Sequence, residues 1–244
     1  MKKKCKALLA GALSLMMLTA CGASSSSTAA PASSSGSAGS STAAASDTAW
    51  PEDVQEIVDR GVLRVGVKNA VPGFGYQDPL TGEYSGMEID LANKIADYLG
   101  VETEFTTVTA ATRGELLDSG DIDCVLATFT ITDERKQTWD FTTPYYTDAV
   151  TVLVEDSSGI TSLADLVGKT VGVSSGSTSA RELVRAMVEK GLVSGDNFDP
   201  DTFDPTTWTE GVSFHQYDDY PTISTALSAG EVDAFCVDRS ILAI

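Results

Sequence analysis

The chain has 244 residues and a net charge of −19, from 16 Lys and Arg against 35 Asp and Glu. So acidic a surface is a poor partner for nucleic acid, and any anion it binds needs a local cluster of cations. One histidine, His215, and four cysteines leave no transition-metal set and no histidine-based triad, so neither metal nor cofactor is expected.

Residues 1–20 place Lys2, Lys3, Lys4 and Lys6 before an apolar run from Ala7 to Ala20. That run is too short to span a bilayer and has the form of a secretory signal. It ends in Leu18-Thr19-Ala20-Cys21, which resembles the lipobox of bacterial lipoproteins. Cys21 is then the expected lipidation site, anchoring the chain to the outer face of the cell membrane; a plain signal with an incidental cysteine is the alternative. Losing the signal removes four bases and no acid, leaving 12 bases against 35 acids and a net charge of −23.

Residues 21–49 are rich in Ser and Ala, with no aromatic and no period, and read as a flexible tether. The folded part is expected to start near Trp50 and to hold one large or two small domains. Cys5 leaves with the signal. Cys124 and Cys236 sit in apolar strand patterns and read as free buried thiols rather than a disulfide.

From Pro51 to Arg60 the pattern is a short helix stopped by Gly61, followed by the strand VLRVGV. Residues 69–86 are too rich in Gly and Pro for regular structure and read as a loop with a turn at Asp78 to Gly82. MEIDLANKIADYLG is a helix with Met87, Leu91, Ile95 and Leu99 on one face, acids in its first turn, and Gly100 as its stop. Strand TEFTTV, short helix TRGELLDSG and strand CVLATF follow. A second series begins after FTTPYYTD: strand AVTVLV, short helix SLADLV, strand TVGV and the helix of STSARELVRAMVEKG. Residues 195–211 are acidic and without period, and are expected to be a surface insertion. Strand VSFHQY, helix PTISTALSAG and strand AFCVD complete the series. The alternation predicts an α/β protein of two lobes, residues 50–145 and 146–240, each with a mostly parallel sheet.

The blocks GVLRVGV, GFGYQDPLTGEYSGMEIDLANKIA, DIDCVLATFTITDERK, GKTVGVSSGSTS and GEVDAFCVDRSIL resemble the family-3 bacterial extracellular solute-binding proteins. Within that family they are most similar to the aspartate- and glutamate-binding members. The resemblance implies the two-lobed periplasmic-binding-protein-like II fold and a monomeric receptor that delivers a free amino acid to the permease of an ABC importer. It also implies that residues 241–244 begin a return crossover, with several dozen further residues completing the first lobe. Met87 stands where the family usually has an aromatic or aliphatic residue, a change of small consequence.

A free amino acid carries a carboxylate and an ammonium, and burying both requires partners. Arg135 has the planar fork that binds both oxygens of an α-carboxylate, and it matches the family's carboxylate arginine. Thr128 and Thr130 stand at the end of a strand, where crevices open in parallel sheets. Ser177, Thr178 and Ser179 open a helix whose free N–H groups favour an anion, and the resemblance selects Thr178, one of the other hydroxyls being expected to cap the helix. Asp238 is the implied partner of the ammonium, while Asp233 is expected to be structural. Lys68, Arg113 and Tyr220 match positions that hold the distal carboxylate in the acidic-ligand members. Phe74 resembles the aromatic that covers the ligand, with Tyr76 as the competing choice. Glutamine or cystine is the nearest alternative ligand, and a dehydratase or a receptor's sensor domain on the same scaffold is the alternative of another class.

Overall fold

The computed structural model describes residues 50–242; the signal, the tether and Cys21 lie outside the described residues. The first helix, α1 (Glu52–Arg60), follows Pro51, has acids in its first turn, and ends at Gly61, whose φ of 75° lets its amide reach back to Ile57 and Val58. Strand β1 (Val62–Val67) then runs through the middle of a three-stranded parallel sheet, between β5 (Glu102–Thr107) and β6 (Cys124–Leu126). Leu63, Val65 and Val67 are buried there, with α2 (Met87–Leu99) packed over them.

Three readings of this region change. Residues 69–86 contain a small antiparallel sheet of β2 (Ala70–Val71), β3 (Gly75–Gln77) and β4 (Tyr84–Ser85); strands of two or three residues carry no readable period. The expected turn is present: the Asp78 carboxylate accepts from the Leu80 and Thr81 amides. The buried face of α2 is Glu88, Ile89, Ala92 and Ala96, with Leu91 and Ile95 at its margin. Small alanines let the helix lie close to the sheet. The strand expected to reach Phe129 stops at Leu126, because Thr128 turns into the left-handed region at φ 49°.

After α3 (Thr112–Asp118) and β6 the chain crosses through residues 127–149 into a second sheet. Its order is β7 (Val150–Leu153), β10 (Ala234–Asp238), β8 (Lys169–Ser174), β9 (Val212–Tyr217), with β10–β8–β9 parallel and β7 antiparallel. Helix α4 (Ser179–Glu189) packs on it through Leu183, Val184 and Met187, and α5 (Tyr220–Ala229) through Ile223, Ala226 and Leu227. Asp233 is structural, accepting from the Thr170 amide at 2.8 Å beside Lys169. Cys124 and Cys236 are both free, the latter fully buried.

Residues 196–211 form no strand or helix, yet they are more than a surface insertion. Phe198, Phe203 and Trp208 pack ring against ring at 5.6 to 6.1 Å and join the second lobe's core, with Trp208 8% exposed. Aromatic side chains carry a large apolar surface each, so three of them anchor a stretch that has no regular structure.

The lobes touch at several points. Val71, Phe74 and Met87 share one apolar cluster with Tyr220, Ile223, Phe235 and Val237. The segment that joins the lobes is also tied to the residues after β10: Asp148 accepts from the Ser240 amide at 2.8 Å and from its hydroxyl, and the Arg239 amide donates to the Ala149 carbonyl at 2.9 Å. A four-residue helix, α6 (Arg239–Leu242), follows β10. Among the described residues, no helix is long and apolar enough to cross a membrane.

Candidate functional site

The stretch after β6 builds the site. Because Thr128 is left-handed, the chain leaves the sheet and brings Phe129 and Thr130 to the gap between the lobes. The Thr132 hydroxyl accepts from the Arg135 amide at 3.1 Å and starts a single 3-10 turn over Arg135–Gln137. Arg135 Nη1 donates to the Thr130 carbonyl at 2.7 Å, and Nη2 crosses to the Gly176 carbonyl at 3.0 Å. Burial holds its guanidinium down to about 10, with Arg113 and Arg181 adding to the effect.

Phe129 had been part of a strand pattern only. Its ring carries two guanidiniums, Arg113 at 4.1 Å and Arg135 at 4.6 Å from the centroid. Arg113, from α3, is 2% exposed and donates to the carbonyls of Ala127 at 2.7 Å and Thr128 at 3.0 Å, while its Nε is buried without a partner. Burial brings Arg113 down to about 10, and Tyr220 and Glu88 pull it back up.

Lys68, just past β1, is 6% exposed, and its ammonium lies 5.3 Å from the ring centroid of Tyr220 at the start of α5. Burial lowers Lys68 to about 7, with Arg113 contributing in the same direction. The Tyr220 hydroxyl is pushed up by burial, against Arg113. The structure thus brings Lys68, Arg113 and Tyr220 together from two lobes. Among the described residues, neither Lys68, Arg113 nor Arg135 forms a salt bridge.

Three adjoining cavities run along the gap. One of about 300 Å³ is bordered by Phe74, Glu88, Thr128, Thr130, Tyr145 and Asp238. One of about 550 Å³ shares Thr130 and Asp238 with it and adds Thr178. One of about 330 Å³ is bordered by Arg135, Thr178, Ser174 and Ser177, and both serine hydroxyls are buried without a partner. No side-chain oxygen caps α4, contrary to the expectation for its serines, which leaves its first amides free toward this cavity. Lys68, Arg113 and Tyr220 border none of the three; Arg113 stands behind Thr128 and Phe129, which do. Phe74 meets Tyr146 edge-on at 5.0 Å on the cavity wall, whereas Tyr76 lies in β3 and borders none of these three cavities. Burial, with Asp148 nearby, raises the Asp238 carboxyl.

Sequence reasoning missed Glu88, Phe129 and Tyr145. Glu88 could have been found, since it falls on the same four-residue spacing as Ala92 and Ala96 and therefore on the buried face. Phe129 carried no such signal, because stacking of two arginines on one ring is a tertiary property.

A sequence model described as bacterial extracellular solute-binding proteins, family 3, matches residues 63–197. The glutamine-binding protein of Geobacillus stearothermophilus is 34% identical over 199 residues, 80% of this chain and 68% of that protein. The L-cystine-binding protein TcyJ of Escherichia coli (strain K12) is 34% identical over 188 residues, 76% of this chain and 62% of that protein. Among solved structures, the ancestral amino acid-binding protein AncCDT-1, a precursor of cyclohexadienyl dehydratase, superposes with a TM-score of 0.62 at 31% identity, covering 78% of this chain and 75% of that one.

Proposed function

The chain belongs to the bacterial extracellular solute-binding proteins, family 3, and from that premise we propose that it captures aspartate or glutamate for an ABC importer. The observation that carries the acidic ligand is the pair of buried cations, Lys68 at 6% and Arg113 at 2% exposure, neither of which forms a salt bridge with a carboxylate among the described residues. Glu88 acts on both cations but forms a salt bridge with neither, and a second ligand carboxylate offsets the remaining cost of burying two positive charges together.

On this reading Arg135 takes the α-carboxylate, helped by Thr178 and the free amides of α4, and Asp238 takes the ammonium. Thr128 and Thr130 complete the hydrogen bonds, and Phe74 covers the ligand's apolar side. Lys68, Arg113 and Tyr220 receive the distal carboxylate, Arg113 standing behind Thr128 and Phe129 on the crevice wall. Binding to one lobe is followed by closure of the other, and the closed form is what the permease recognises. Cys21 supplies the lipid anchor on the outer face of the membrane, and one copy of the chain is sufficient. The chain is read as a receptor, since each candidate group pairs with a charge on the ligand and none is assigned a bond to break.

A thermal-shift and calorimetric screen with aspartate, glutamate, glutamine, cystine and arginine tests this. Stabilisation by the two acids alone supports the proposal. Stabilisation by glutamine or cystine, and not by the acids, transfers the chain to the ligand class named for the two relatives above.

A further inference from the structure

By position Glu88 is one of the acids in the first turn of α2, yet it is 0% exposed and borders the 300 Å³ cavity. Its Oε1 accepts two hydrogen bonds of 2.7 Å, from the Thr128 amide and from the Tyr145 hydroxyl. Its Oε2 is buried without a partner. Burial raises the carboxyl, and the bonds from Thr128 and Tyr145 oppose that rise.

Thr128 is, among the described residues, the one non-glycine with a positive φ, at 49°. A β-branched residue there is strained and persists only where its surroundings over-determine it. Both ends of this residue are gripped by charge. Its amide faces the Glu88 carboxylate and its carbonyl faces the Arg113 guanidinium. Tyr145, the second donor to Glu88, belongs to the segment that runs from the first lobe to the second.

We propose that Glu88 is a positioning residue: it holds Thr128 in the left-handed conformation that aims Phe129 and Thr130 at the crevice, and it ties that turn to the interlobe segment through Tyr145. Its effect on affinity rests on the receptor reading above; its effect on the turn does not.

Amide hydrogen exchange in the ligand-free chain separates the two. Glu88→Ala is expected to speed exchange at the Thr128 amide at least about tenfold, with β8 unchanged, and Glu88→Gln, which keeps an acceptor oxygen, by less than about threefold. Unchanged exchange at Thr128 in Glu88→Ala overturns the proposal. In calorimetry with aspartate, Glu88→Ala should bind about tenfold more weakly and Tyr145→Phe should fall between it and the wild type. If the wild type binds none of the five amino acids, the receptor reading fails while the exchange result still decides the role of Glu88. Should Glu88→Ala not fold, adding Thr128→Gly is expected to restore folding, since glycine takes this φ without strain; failure to restore it also overturns the proposal.

Discussion

Arg135 donates through Nη2 to the Gly176 carbonyl at 3.0 Å, so a guanidinium of the first lobe is fastened to the turn that leads into α4 of the second. The same side chain holds the Thr130 carbonyl of its own lobe and rests on Phe129. One residue therefore touches both walls of the crevice, and its neighbours supply the predictions that follow.

Arg135→Ala is expected to weaken aspartate or glutamate binding at least ~100-fold, because truncating one member of a buried charge pair costs roughly 2–5 kcal/mol. Titration calorimetry reads this directly. A loss of less than about fivefold removes Arg135 from the carboxylate role.

Gly176 has a φ of 72°, and a Cβ there would lie 2.8 Å from the Ala110 carbonyl oxygen and 2.8 Å from the Ala111 Cα. Both atoms are backbone of the first lobe, so they cannot rotate away. Gly176→Ala is expected to hold the lobes apart and lower affinity by about tenfold or more, on top of the roughly 1–2 kcal/mol that a left-handed alanine costs. Small-angle scattering with saturating ligand should show a larger radius of gyration than the wild type. An equal radius and equal affinity refute it.

Phe129→Ala removes the surface on which Arg113 and Arg135 both rest. Each desolvated cation–π contact contributes up to about 2 kcal/mol, so the unfolding free energy should fall by about 2–4 kcal/mol in urea. A drop under about 1 kcal/mol means that the backbone carbonyls alone position the two arginines.

Lys68 has a folded value of about 7 against its ordinary 10.5. Between those values the unfolded chain binds a proton that the folded chain does not, so stability rises with pH across that window. Lys68→Met should abolish the rise, measured as urea midpoints at about pH 6 and pH 9. An acidic ligand favours the charged lysine, so binding near pH 8 is expected to take up a proton, visible as different apparent enthalpies in buffers of different ionisation heat. Absence of proton uptake would falsify the distal-carboxylate role of Lys68.

How much of this was legible in the sequence follows from where each signal lies. Helices α1, α2 and α5 were readable because each has a helical period and a glycine at its end, Gly61, Gly100 and Gly230. Strands β1, β8 and β9 were readable as apolar or alternating runs bounded by turns. The strands of residues 70–85 were not, since their pairing is decided by neighbours rather than by pattern. The aromatics of residues 198–208 looked like surface because an aperiodic segment gives no face to assign. Lys68, Arg113 and Tyr220 became one group only through the family resemblance, and the fold places them together. Glu88 was misread because an acid at a helix start has an ordinary explanation in the helix dipole.

The tie between Asp148 and Ser240 has a mechanical consequence. A connecting segment pinned at one point acts as a pivot, and a pivot lets the mouth of a crevice swing while its root stays still. Asp238 sits two residues from that fastening, at the end of β10, and so stands at the root of the crevice. The bond from Arg135 to Gly176 spans the lobes away from that fastening. On the receptor reading proposed above, a ligand therefore meets Asp238 at the root of the crevice and Arg135 at the contact that spans its walls.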